Sequence, residues 1–145
     1  MEEMKPAIHF FSENIPFVLK GKGRIRAWLN DCIAREYKTA GIINYIFCDD
    51  EYLLPINQSY LHHDTLTDTI TFDFAEQENK VQGDVYISIE RARYNAGKLN
   101  VSPAYEIHRL IIHGVLHLCG YDDKDPAGKR LMSEKEDYYL SLLPE

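Results

Sequence analysis

No stretch of the 145-residue chain approaches the roughly 20 consecutive apolar residues of a membrane helix, so no spanning helix is expected. Cysteine is scarce and odd in number, with only Cys32, Cys48 and Cys119, each inside an apolar-periodic segment. That excludes a disulfide-stapled secreted scaffold and points to reduced core thiols in a cytoplasmic protein. The opening Met-Glu-Glu-Met-Lys is acidic and leads into a strand-like stretch, so no signal peptide is expected. Repeats, linkers and low-complexity segments are absent. Cations are in deficit, 16 Lys and Arg against 23 Asp and Glu for a net charge of −7. Such a balance excludes a protein that grips nucleic acid over its whole surface. The cations present do cluster, Lys20, Lys22, Arg24 and Arg26 in one stretch and Arg91, Arg93 and Lys98 in another. Each cluster reads either as a local phosphate contact or as an ordinary solvated face.

What is there is ordinary for a globular fold, 45% hydrophobic and 27% charged residues, in a length that suits a single domain over 1–145. Ile8 to Phe11 reads as a first strand. Apolar residues from Ile25 to Tyr37 repeat at helical spacing, which predicts a helix over 23–40 stopped by Gly41. Ile42 to Cys48 is a nearly continuous apolar run, the mark of a strand buried on both faces. A helix from Asp49 to about Tyr60 follows, with Pro55 inside it. Thr69 to Phe74 and Asp84 to Ile89 read as two more strands, the second alternating apolar and polar. A short helix after Glu90 comes next. Ser102-Pro103 then opens a helix running to Cys119 and closed by Gly120, and Asp125-Pro126 opens a last one to about Leu143. The pattern predicts a single α+β domain: one mixed, mostly parallel sheet of about four strands covered by helices.

The chemistry sits on the helix that begins at Ser102. His113 and His117 lie one turn apart on one face, where two neutral imidazoles can share a transition-metal ion, zinc most commonly. Gly120 ends the helix, and the turn at Tyr121-Asp122-Asp123 lets a carboxylate return to the same face. A set of His113, His117 and Asp123 would leave open positions for water, as a catalytic metal requires. The competing reading is two surface histidines beside a helix C-terminus. Gly114 stands where a metalloprotease of the H-E-x-x-H type carries its glutamate base, so a peptidase would lack that group. The glycine either leaves room beside a metal or packs the helix closely on the sheet. Arg109, one turn before His113, reads as a phosphate contact or as the ion-pair partner of Glu106. His62, His63, Asp64 and Asp68 sit in a polar loop, either exposed or reaching the site.

The run His113-Gly114-Val115-Leu116-His117-Leu118-Cys119-Gly120-Tyr121-Asp122-Asp123 resembles the signature of the bacterial YbeY family, His-Gly-x-Leu-His-Leu-x-Gly-Tyr-Asp-His. Eight of its nine defined positions match. Ile56-Asn57-Gln58-Ser59-Tyr60 with Asp64, Thr67-Asp68 and Phe72 is similar to the family's second block, and Gly83-Asp84-Val85-Tyr86-Ile87-Ser88 to its third. The resemblance implies a metal-dependent endoribonuclease acting on single-stranded RNA, usually with zinc, in 16S rRNA 3′-end maturation and ribosome quality control. It also implies an α+β fold with the metal at the end of the signature helix, and partners in ribosomal RNA and the small ribosomal subunit or its assembly factors. Two positions depart from the pattern. Asp123 replaces the family's third histidine ligand, which also opens the site to iron or manganese. Leu61 stands where members usually carry an arginine thought to assist catalysis, a role that His62 or Arg109 would have to take over. A ribosome assembly factor with a structural metal is the alternative from another class. Tyr60, Tyr86 and Tyr121 are candidate platforms for unstacked bases.

Overall fold

The apolar run at 42–48 forms the greater part of an interior strand, β2 (Thr39–Cys48), with strands hydrogen-bonded on both its edges. The computed structural model describes residues 6–61 and 66–144, without the side chain of Leu61. His62, His63, Asp64 and the first five residues, read above from sequence, lie outside the described residues. The other elements are β1 (Ala7–Ser12), α1 (Lys22–Arg35), α2 (Asp50–Leu61), β3 (Thr69–Asp73), β4 (Lys80–Ser88), α3 (Ile89–Leu99), α4 (Pro103–Leu118) and α5 (Pro126–Ser141). The sheet order is β1-β2-β4-β3, with β1, β2 and β4 parallel and β3 antiparallel to β4. This is the mixed, mostly parallel sheet that the sequence predicts.

Strands β2 and β4 begin earlier than the sequence predicts, at Thr39 and Lys80 rather than Ile42 and Asp84, and the boundary that differs most is the end of α1. Helix α1 ends at Arg35, well before Gly41, because Tyr37 takes the left-handed conformation at φ 58°. The N–H of Lys38 then bonds the carbonyl of Ile33 and that of Tyr37 the carbonyl of Ala34, a Schellman closure. Tyr37 is 93% exposed, so its ring contributes nothing to the core and the apolar periodicity overran the helix. Thr39 and Ala40 instead pair with Lys80 and Val81, and the register shifts between Ala40 and Ile43.

The main core lies between the sheet and helices α1, α4 and α5, joining Ile25, Leu29, Tyr45, Val85, Ile111 and Met132. On the opposite face a smaller cluster seats Leu53 of α2 against Cys48 and Ile70. Ser102 caps α4 by accepting from the N–H of Tyr105, and Pro103 occupies the first turn. At Gly114 helix α4 lies close against the sheet, for a Cβ there would lie 2.6 Å from Val85 Cγ1. Close packing thus accounts for the glycine. Gly114→Ala is expected to lose about 1–3 kcal/mol through overpacking. At about 2–4 °C per kcal/mol for a chain of this size, thermal unfolding should register a drop of several degrees.

Candidate metal centre

Helical geometry and one turn assemble the site. His113 and His117 place their Nε2 atoms 3.0 Å apart. Gly120, at φ 107°, then reverses the chain, and the N–H of Tyr121 bonds the carbonyl of Leu116. That turn brings Asp123 back with Oδ2 3.6 Å from His113 Nε2 and Oδ1 3.6 Å from His117 Nε2. One ligand atom from each of these residues lies within 4.8 Å of the others, a spacing that could hold a metal ion. Asp122 does not join them, since its carboxylate accepts from the N–H of Lys124.

The far side of each imidazole decides what the near side can do. His113 Nδ1 lies 2.5 Å from Glu136 Oε2, and His117 Nδ1 lies 3.0 Å from the carbonyl oxygen of Tyr121. An ionised carboxylate and a carbonyl can only accept, so these partners assign the proton to Nδ1 in both rings. Two Nε2 lone pairs then face each other across 3.0 Å with the Asp123 oxygens beside them. Lone pairs so close repel unless a cation lies between them, so the donor set fits a metal. His117 is held in its neutral form, its pKa pushed down by burial and then by the neighbouring His113.

Glu136 belongs to a buried ion-pair chain that sequence reading missed. Its Oε1 accepts from Arg109 Nη1 at 3.2 Å, while Glu106, fully buried, takes Nε and Nη2 of the same guanidinium at 2.7 and 2.6 Å. The hydrogen bonds that Arg109 donates to Glu106 raise its pKa against the opposing effect of burial. Arg109 is thus the partner of Glu106 and a prop for Glu136, and three of its donors face carboxylates. One signal was available in the sequence. Met132, Glu136 and Tyr139 form the inward stripe of α5, and a glutamate on such a stripe needs a buried partner.

The cluster opens on a cleft of about 560 Å³ lined by Thr69, Thr71 and Asp73 of β3 and by Asp68 and Lys124. Thr71 Oγ1 is buried there and bonds nothing among the described residues. Asp68 is engaged by the Asn95 side chain at 3.0 Å. None of the three tyrosines lines the cleft: Tyr121 donates to Glu36, and Tyr60 and Tyr86 each meet the Phe72 ring edge-on.

Comparison with known proteins matches residues 17–143 to the family model described as Endoribonuclease YbeY. An Endoribonuclease YbeY of Flavobacterium psychrophilum is 50% identical, over 91% of this chain and 94% of the relative. One of Parabacteroides distasonis is 44% identical, over 96% of this chain and 97% of the relative. A Thermotoga maritima protein of known solution structure superposes with a TM-score of 0.66 at 25% identity, covering 94% of this chain and 89% of that one. With the match running through nearly the whole chain, the chain belongs to the YbeY endoribonuclease family.

Proposed function

We propose that the chain is a metal-dependent endoribonuclease that cuts single-stranded RNA, with His113, His117 and Asp123 as its metal ligands. The observation that carries the chemistry is the convergence of two imidazole lone pairs and one carboxylate at the edge of an open cleft. Two nitrogens and a carboxylate suit zinc, and also iron or manganese. A bound cation there would act as Lewis acid on the scissile phosphate and lower the pKa of a water. Glu136 and the Tyr121 carbonyl hold the two imidazoles in the tautomer that presents Nε2. Lys124, which lines the cleft, supplies a positive charge for phosphoryl oxygens.

Asp123 keeps 38% of its side chain exposed, which favours a catalytic metal over a structural one, since structural sites are closed. Gly114, packed on Val85, leaves a peptidase without its base. Through its family the RNA is ribosomal, the step is 3′-end maturation of 16S rRNA and ribosome quality control, and the partners are the small subunit or its assembly factors in the cytoplasm. No helix among the described residues is long and apolar enough to cross a membrane.

Elemental analysis of wild type beside Asp123→Ala tests this reading. One equivalent of metal is expected in the wild type and clearly less in the variant, with cutting of single-stranded RNA falling in step and duplex RNA left intact. Full metal retention by Asp123→Ala would remove the carboxylate from the ligand set. A wild type free of metal after supply of zinc, iron and manganese would refute the hydrolase chemistry.

A further inference from the structure

Residues 15–30 and 91–105 hold no Asp or Glu and carry seven of the 16 Lys and Arg. The rest of the chain sets nine cations against all 23 acids, so the positive charge is segregated. The fold brings the two stretches together. Lys20, Arg24 and Arg93 rim a groove of about 390 Å³ whose floor includes Leu19, Ile107 and His108. Among the described residues only Arg91 of the seven forms an ion pair, with Asp50. Among the described residues no carboxylate lines the groove, and burial lowers the pKa of His108.

The groove is separate from the metal centre. His108 precedes His113 by five residues, which places it about 140° around α4 and roughly 8 Å back along it. Lys98, outside the groove lining, is exposed on α3, so the cations extend beyond the groove itself. Cations that have no ion-pair partner among the described residues, flanking a pocket with an apolar floor, are complementary to a strand that alternates phosphates with bases.

We propose that this face is a second RNA-binding site, gripping the phosphates of a single strand on Lys20, Arg24 and Arg93 and receiving an unstacked base in the groove. The proposal rests on the endoribonuclease reading for its choice of RNA over an acidic polypeptide. Its role is to hold a flank of the substrate away from the metal, so long strands gain from it and very short ones do not.

The test is anisotropy of a 2′-O-methyl oligouridylate of about 16 nucleotides, within the range of single-strand site sizes. It would be titrated with the purified protein over a range of salt concentrations. Lys20→Ala/Arg93→Ala is compared with Lys129→Ala/Arg130→Ala, which removes the same charge from exposed positions on α5. The first pair is expected to weaken binding about tenfold and to lower the log–log salt slope by about 1.4, at about 0.7 per phosphate contact. The α5 pair should leave both nearly unchanged. Equal losses in the two variants, or none in either, would overturn the site. So would binding of poly-glutamate, but not of RNA, through Lys20 and Arg93, which would assign the face to an acidic protein. Because the binding readout requires no cleavage step, absence of cleavage in the wild type would count against the metal chemistry alone. Unchanged melting temperatures in both variants, expected for exposed side chains, keep the comparison clean.

Discussion

Exchanging His117 for alanine is expected to empty the metal site and to abolish RNA cleavage together. On the proposed ligand set the variant removes one of the two nitrogen ligands found among the described residues, and Asp123 with His113 alone would hold a divalent ion poorly. With the Lewis acid gone, the loss of rate should be at least about 10³-fold, since metal-bound water and charge neutralisation of the phosphate vanish at once. The fold should survive, because His117 lies near the end of α4 with 26% of its side chain exposed and its one backbone partner is the Tyr121 carbonyl. Elemental analysis, a cleavage assay and a thermal melt on one preparation check all three. Cleavage retained by a metal-free variant would sink the mechanism. A pH dependence follows from the same side chain. Burial and the facing His113 lower its pKa below the ordinary 6.5, so protons compete with metal only when the pH falls below that value. Wild-type metal content should hold on dialysis at about pH 7 and be lost toward about pH 5.

The sequence made the sheet and the three converging residues legible for different reasons. Strand β2 is interior, so its apolar run from Ile42 to Cys48 admits few other readings. Helix α4 carries a cap, a first-turn proline and a closing glycine, so the faces of His113 and His117 could be placed by counting. Asp123 followed from the reversal that Gly120 permits. The end of α1 was not legible, since a tyrosine in the left-handed position carries no compositional mark. Nor was the groove between residues 17–24 and α4. Its two cationic stretches are some 70 positions apart in the sequence, and only the packing of α3 and α4 beside the segment before α1 joins them.

Glu136 lies 23 residues from His113 and no local spacing links the two, yet its loss should be the second most damaging single change. Two effects add in Glu136→Ala. His113 loses the acceptor that fixes its tautomer and ring angle, and removing such a partner typically costs about 10- to 100-fold in metal affinity. Arg109, only 25% exposed, loses one of its two carboxylates, which leaves a partly buried charge under-compensated. Breaking a buried pair in this way costs about 3 kcal/mol, reduced here by the remaining bidentate bond to Glu106. Glu136→Gln separates the two effects, because its amide oxygen still accepts from His113 Nδ1 while the charge opposite Arg109 is gone. The alanine variant should therefore bind metal more weakly than the glutamine variant in a chelator competition. Excess metal should restore cleavage in both, because neither exchange removes a ligand. Wild-type affinity in Glu136→Ala would show that His113 is oriented by its helix alone, and the carboxylate would then be only a partner for Arg109.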